Sequence, residues 1–167
     1  MAGTQRFIRT FPQIADLEDA PMEPITKVST TIDAPPREVW DALTTPDIIK
    51  SYFFGSDVES DWEVGSPITF RGEYQGKKYE DKGVIQAAVP GKRLAYSHWS
   101  PLSGVPDRPE NYNLVTFDLS DTDDGTKVTL SQAKLSGAPK QSDLDRKDEF
   151  EKNWKMVLSG LKKAVEH

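Results

Sequence analysis

A single long amphipathic helix near the C-terminus most constrains how this chain can fold. From about residue 143 to residue 165, apolar side chains recur at positions i, i+4, i+7, i+8, i+11 and i+15, which is the spacing of one helix face. They are Phe150, Trp154, Val157, Leu158, Leu161 and Val165. The rest of the chain is predicted to form short elements, so only this helix is long enough to cover an apolar sheet face.

The middle of the chain alternates between apolar and polar residues in short runs, a pattern that predicts β-strands. We place strands at residues 25–32, 67–74, 78–89, 93–99, 111–119 and 126–132. Gln75-Gly76 is a hairpin signal, and we interpret Asp124-Gly125 as a turn of the type I′ kind. Connections this short imply an antiparallel sheet.

Two short helices are predicted after the first strand. The first opens at residues 33–36, with Asp33 near the N-cap and proline tolerated in the first turn. Residues 45–47 end it and begin the second helix, which ends at Gly55. The fold class is therefore α+β: a curved antiparallel sheet of about six or seven strands with one long helix lying across it. Such an arrangement can leave a cavity between helix and sheet.

The chain of 167 residues divides into two predicted parts. Residues 1–24 are an N-terminal extension that is acidic in its second half, and either docking on the domain or mobility is compatible with its scattered apolar residues. Residues 25–167 form one domain, large enough to bury its own core.

Composition excludes several classes of function. The chain has no cysteine and two histidines, His98 and His167, so we expect no disulfide, no thiolate chemistry, no metal site and no cofactor. A net charge of -6 argues against binding nucleic acid. No apolar run reaches the length of a membrane span, and the first residues contain no signal-peptide core, so we expect a cytoplasmic protein. Motifs of common hydrolases, nucleotide-binding proteins and zinc peptidases are absent.

The order of several segments resembles the START-like (SRPBCC) superfamily, and within it the branch named after the activator of the HSP-90 ATPase. The similarity covers most of the chain from Ile25 to Val165. The segments that carry it are residues 25–44, 45–53, 90–96, 125–130 and 153–161. The acidic extension and the proline-rich loop at residues 101–109 depart from the pattern.

This resemblance implies a helix-grip fold with a hydrophobic cavity between the sheet and the C-terminal helix. The first functional hypothesis is a binding protein for a small apolar or amphipathic molecule, lipid-like or polyketide-like and aromatic. The second is an enzyme of the cyclase, dehydratase or hydrolase type that uses the same cavity. The third is a co-chaperone-like interaction protein in a stress response. The chain is expected to be a monomer or a weak dimer.

The candidate ligand-binding residues are mostly aromatic, a set that favours either a pocket or an ordinary core. They are Phe53, Trp62, Phe70, Tyr96, His98, Trp99, Tyr112, Phe117, Trp154 and Leu158. Because side chains alternate along a strand, Tyr96 and His98 should share a face. His98, paired with Tyr96 or Tyr112, is the best candidate for general acid–base catalysis. Glu73, Glu80 and Asp81 near the hairpin are interpreted as mainly solvated, and the 101–109 loop either gates the cavity or is a stiff connection.

Overall fold

One seven-stranded antiparallel sheet and one long helix dominate the computed structural model, which describes residues 24–166. The extension predicted over residues 1–24 therefore lies almost wholly outside the described residues. The strands are β1 (Thr26–Ile32), β2 (Asp57–Ser60), β3 (Pro67–Tyr74), β4 (Lys77–Val89), β5 (Arg93–His98), β6 (Asn113–Thr122) and β7 (Gly125–Lys134). Their order in the sheet is β1-β7-β6-β5-β4-β3-β2. From β2 to β7, each strand therefore lies beside the next strand in the chain, and β1 pairs with β7 at the other edge. The predicted fold class is confirmed.

Four α-helices accompany the sheet in the described part of the chain: α1 (Pro36–Leu43), α2 (Pro46–Tyr52), α3 (Gln141–Asp145) and α4 (Lys147–Glu166). Two single turns of 3-10 helix, at Pro101–Ser103 and Pro109–Asn111, lie in the proline-rich loop. No helix among residues 24–166 combines the length and apolarity required to cross a membrane.

The core forms where α4 crosses the concave face of the sheet. The helix contributes Val157, Leu158, Leu161 and Val165, all buried, and each stabilises the fold by about 1.5–3 kcal/mol. The inward residues of the strands meet them; these include Ile68, Phe70, Leu94, Tyr96, Val115, Phe117, Val128 and Leu130. Helices α1 and α2 close one end of this core with Val39, Leu43, Ile49 and Tyr52.

Three local expectations from the sequence were wrong. Pro35, not Asp33, is the N-cap of α1, and no side chain caps it. The turn between β6 and β7 is Asp123-Asp124, because Thr122 pairs with Gly125, and neither aspartate has the positive φ of a type I′ turn. The C-terminal helix begins at Lys147 rather than near residue 143. The residues before it form the separate helix α3, which ends at Asp145, and Arg146 lies between α3 and α4.

A glycine sets the distance between α4 and α2. A Cβ at Gly160 would lie 2.6 Å from Cβ of Tyr52, closer than real side chains approach. The hydroxyl of Tyr52 donates a hydrogen bond to the carbonyl of Ala42 at 2.9 Å, which fixes the ring against α1. The tyrosine therefore has little room to move away, and glycine is required here despite its poor helix propensity.

We predict that Gly160→Ala destabilises the protein. In a helix, alanine stabilises the protein by about 1 kcal/mol relative to glycine, but overpacking against Tyr52 costs about 1–3 kcal/mol. The net effect is therefore a loss of stability. Urea denaturation followed by circular dichroism measures the change in the free energy of unfolding. The control is Ser159→Ala on the exposed side of the same turn, where only propensity acts and stability should not fall. A Gly160→Ala protein as stable as the parent would contradict the prediction.

Candidate ligand-binding cavity

A cavity of about 480 Å³ lies between the N-terminal part of α4 and the sheet. It is bounded by Asp81 within β4, by the ends of β5, β6 and β7, by α3, and by the loop from Trp99 to Asn111. Phe53 and Phe54, which follow α2, reach it from the other side. Its size lies within the range of small-molecule sites. The same helix that seals the core with its C-terminal half thus roofs a cavity with its N-terminal half.

Aromatic rings form the roof and one side wall of this cavity. Phe150 and Trp154 descend from α4, both half-buried, and the ring centroids of Trp154 and Phe53 lie 6.0 Å apart in an edge-to-face contact. The indole Nε1 of Trp154 donates a 2.7 Å hydrogen bond to Oε1 of Gln132 on β7. That bond fixes the tryptophan, so the apolar wall is held rigidly over the sheet.

The floor is polar, which distinguishes it from the neighbouring core. Asp81, His98, Asn113 and Lys134 come from the four adjacent strands β4, β5, β6 and β7, and all four line the cavity. His98 is opposite Asn113, and Asn113 is opposite Lys134, in the strand register. Cross-strand partners place their Cβ atoms about 4.5–5.5 Å apart, so His98, Asn113 and Lys134 form one row. The contact of His98 with Asp81 extends this row onto β4. We refer to Asp81, His98, Asn113 and Lys134 as the polar row.

Within the polar row, His98 and Asp81 form a pair. Nε2 of His98 lies 3.0 Å from Oδ2 of Asp81, and only 24% and 16% of these side chains are exposed. A carboxylate can only accept, so we assign the imidazole proton to Nε2, which leaves a lone pair on Nδ1. The ring of Phe70 packs edge-to-face on His98 at 5.6 Å and restrains its orientation. The arrangement is a histidine oriented by a carboxylate, at the floor of a cavity.

At the other end of the polar row, Lys134 is buried. Only 4% of its side chain is exposed, and its ion-pair partner, Oδ2 of Asp143 on α3, is 3.6 Å from Nζ. That distance is longer than a hydrogen bond. The same Asp143 oxygen accepts a 2.9 Å hydrogen bond from the backbone N–H of Lys140. The lysine thus brings a positive charge to the cavity that its partner offsets only at long range.

The proline-rich loop borders the mouth of the cavity and is held in place by hydrogen bonds, an ion pair and a stacked pair of rings. Nε1 of Trp99 donates to the carbonyl of Val105 at 3.1 Å, and the hydroxyl of Tyr112 donates to Oδ1 of Asp107 at 2.6 Å. Lys82 forms a 2.6 Å ion pair with Asp107. The rings of Trp99 and Tyr112 stack with centroids 6.5 Å apart. Leu102 and Val105 in this loop line the cavity and are about 40% exposed.

The ten candidate ligand-binding residues separate into three groups. Phe53, His98, Trp99 and Trp154 line the cavity. Trp62, Phe70, Tyr96 and Phe117 surround a void of only about 20 Å³, which is filled core, and Leu158 is buried in the same core. Tyr112 lies outside the cavity, on the loop. The rings of Tyr96 and His98 both contact Phe70, so these two side chains share a face as expected.

Several functional candidates were missed by reasoning from the sequence. Asp81 was interpreted as a solvated hairpin residue, yet it faces the cavity, whereas Glu80 beside it is exposed and pairs with Arg71 at 2.9 Å. Strand alternation places these two carboxylates on opposite faces, and that signal was available. Asn113, Gln132 and Lys134 were also missed, because their burial depends on which strand ends α3 and α4 cover.

A second concavity, of about 740 Å³, lies on the outer face of the sheet. It is lined by outward residues such as Lys27, Thr116 and Thr129, and none of the described residues that line it is aromatic. Residues of this kind are ordinary for a solvated sheet face. Among residues 24–166, no cluster of histidine and carboxylate side chains has the arrangement needed to hold a metal ion.

Comparison with known proteins identifies one family. A sequence model described as "Activator of Hsp90 ATPase homolog 1-like protein" matches residues 33–166. The protein ChR145 from Cytophaga hutchinsonii, known from its solution structure, is 44% identical, with a TM-score of 0.69 over 86% of this chain and 94% of that one. No curated protein matches this chain.

More distant solved structures share the fold. The Aha1 dimer from Colwellia psychrerythraea is 20% identical, with a TM-score of 0.61 over 84% of this chain and 94% of that one. DynU16, a protein of the dynemicin biosynthetic locus, is 19% identical, with a TM-score of 0.65 over 84% of this chain and 46% of that one.

The contacts of Tyr112 generate a prediction about pH. Partial burial, then the hydrogen bond and the charge of Asp107, raise the pKa of Tyr112 to about 12 from its usual value of 10.0. A raised pKa in the folded state favours the neutral phenol, so this contribution to stability is complete below pH 10 and is lost as the pH rises toward 12. We expect Asp107→Asn to lower the Tyr112 pKa, though not fully to 10, because the burial remains.

Ring carbon NMR shifts of labelled tyrosine, followed from pH 8 to 13, measure this pKa, and Tyr112→Phe assigns the signal. Asp123→Asn is the control, since that carboxylate lies in the exposed β6–β7 turn and should leave the midpoint of Tyr112 unchanged. An identical midpoint in the parent and in Asp107→Asn would refute the contact.

Proposed function

Because the chain belongs to the family described as Activator of Hsp90 ATPase homolog 1-like protein, we propose that it is a small-molecule binding protein. Its ligand is an apolar or amphipathic molecule held between α4 and the concave face of the sheet. The observation that carries this proposal is the cavity of about 480 Å³ at that place.

The composition of the cavity walls supports binding rather than incomplete packing. Protein interiors are close-packed, and voids that serve no purpose are rarely larger than a water molecule. Here the aromatic side chains of Phe53, Phe150 and Trp154 face a row of polar groups across open space. Aromatic walls with a few oriented polar groups are typical of sites that desolvate a ligand and fix its orientation.

The comparisons are compatible with this proposal. DynU16 belongs to a biosynthetic locus, so a relative with the same fold is encoded beside enzymes that make a small molecule. At 19% identity that likeness concerns the fold, and the ligand of this chain has to be inferred from its own residues. Lipid-like and aromatic molecules are both consistent with the apolar roof.

An enzyme that uses the same cavity is the second candidate, and one observation favours it. The pair His98–Asp81 has the geometry of a general base oriented by a carboxylate, with Nδ1 making no hydrogen bond to the described residues. The earlier pairing of His98 with Tyr112 is wrong, since Tyr112 donates to Asp107 in the loop. Turnover of a bound ligand that His98→Gln abolishes without loss of affinity would favour the enzyme.

We predict that filling the cavity abolishes binding. Val115 is buried and lines the cavity floor, so Val115→Phe adds a ring that enters the open space. In NMR titrations with oleate, naringenin and 2-naphthol, the parent should show saturable shifts of the indole signals of Trp99 and Trp154. For each probe that binds, the variant should lose at least about tenfold in affinity, which corresponds to 1.4 kcal/mol.

The matched control is Val84→Phe, because Val84 is 40% exposed on β4 and does not line the cavity. It should bind like the parent. Amide spectra of both variants verify that they are folded. If no probe moves the indole signals of the folded parent, or if Val115→Phe binds as tightly as the parent, the cavity is not a binding site.

A further inference from the structure

Two buried oxygen atoms of the polar row have no hydrogen-bond partner. They are Oδ1 of Asp81 and Oδ1 of Asn113, each shielded from solvent. An unsatisfied buried acceptor is costly, and native proteins contain few of them. Both residues line the cavity, and His98 stands between them in the row. One small region of the floor thus holds two unpaired acceptors and, on Nδ1 of His98, a third.

No hydrogen bond between the described residues supplies these two oxygens with a donor. The amide of Gln132 accepts from Trp154 through its Oε1, and Asp81 already receives Nε2 of His98 on its other oxygen. Lys140 donates from its Nζ to Asn111 at 2.9 Å, at the cavity edge. A hydroxyl group on a molecule in the cavity would supply a donor to these acceptors.

The lysine end of the polar row has the opposite requirement. Lys134 presents three N–H donors, its side chain is 4% exposed, and its one ion-pair partner lies at 3.6 Å. Lys134 is two strands away from His98 and three from Asp81, so it lies roughly 10 to 15 Å from these two residues along the sheet. A ligand that satisfies both ends carries a hydroxyl at one side and an oxygen acceptor at the other.

We propose that the polar row selects hydroxy-carboxylates, or hydroxy-carbonyl compounds, with an apolar or aromatic body. The ligand hydroxyl donates to Oδ1 of Asp81 and is flanked by the acceptors of His98 and Asn113. The carboxylate or carbonyl oxygen accepts from Nζ of Lys134. The apolar body lies under Phe150 and Trp154. This inference rests on the proposed function of the cavity and specifies the chemistry of its ligand.

Four probes of one shape test the proposal: 6-hydroxy-2-naphthoate, 2-naphthoate, 2-naphthol and naphthalene. The first carries a hydroxyl and a carboxylate at opposite ends of the ring system, and the others lack one group or both. Affinities come from NMR titration of the indole and amide signals. We expect the hydroxyl and the carboxylate each to improve affinity by about tenfold, as one oriented hydrogen bond does.

Variants separate the two ends of the row. We call the gain in affinity from the ligand hydroxyl the hydroxyl advantage, and the gain from the carboxylate the carboxylate advantage. Asp81→Asn and Asn113→Leu should each reduce the hydroxyl advantage to less than threefold and keep the carboxylate advantage. Lys134→Met should do the reverse. Because this change leaves Asp143 without its ion-pair partner, amide spectra must verify that the variant is folded. Lys127→Met, an exposed lysine on the same strand, and Asp123→Asn, in the exposed β6–β7 turn, are the controls and should change neither advantage.

The possible results separate the two proposals. If all four probes bind with equal affinity, the cavity binds ligands but the polar row does not select them, and this inference is overturned alone. If the probes bind selectively but the row variants keep both advantages, it is overturned as well. If none of the probes and none of oleate, naringenin and 2-naphthol binds the folded protein, the proposed function fails and the inference fails with it.

Discussion

The packing of one straight helix against one curved sheet determines both the stability of this protein and the position of its cavity. A rigid α-helix cannot follow a concave surface along its whole length. At its C-terminal half, α4 is drawn close to the sheet and to α2, where Gly160 permits contact with Tyr52. At its N-terminal half the helix stands away from the strand ends, and Phe150 and Trp154 remain half-buried over open space. The cavity is thus a geometric consequence of the way α4 packs on the curved sheet.

The residues around that space are not those that stability alone would favour. His98 and Asn113 occupy inward strand positions that, two residues further along β5 and β6, hold the buried core residues Tyr96 and Val115. Buried polar groups without partners cost free energy that apolar residues of similar size would not. Departures from local consistency of this kind concentrate at functional sites. The polar row is therefore better explained by the proposed binding of a ligand than by a contribution to stability.

Much of the fold could be predicted from the sequence because it follows from local periodicity. Alternation along β5, β6 and β7 placed Leu94, Phe117 and Leu130 inside, and the stripe on α4 identified the helix that covers them. The start of that helix was misplaced because residues 143–146 are compatible with helix in sequence but belong to a separate turn, α3. The turn at Asp123-Asp124 was misread because Asp-Gly is a strong hairpin signal even where the glycine pairs as the first residue of the strand.

The candidate site could be predicted only in part, since a cavity depends on the distance between elements rather than on the pattern within them. Aromatic residues favour cores and pockets equally, so Phe70 and Phe117 could not be separated from Phe53 and Trp154 before the position of α4 was known. Polar residues that face the inside of the sheet are easier to interpret, because an ordinary apolar core does not favour them. Asp81, His98, Asn113 and Lys134 each look unremarkable alone. The strand register aligns His98, Asn113 and Lys134, and Asp81 joins them through its side-chain contact with His98. Because the core is closed at the opposite end of the sheet, substitutions in that line would alter the cavity without disturbing the packing of the helix on the sheet.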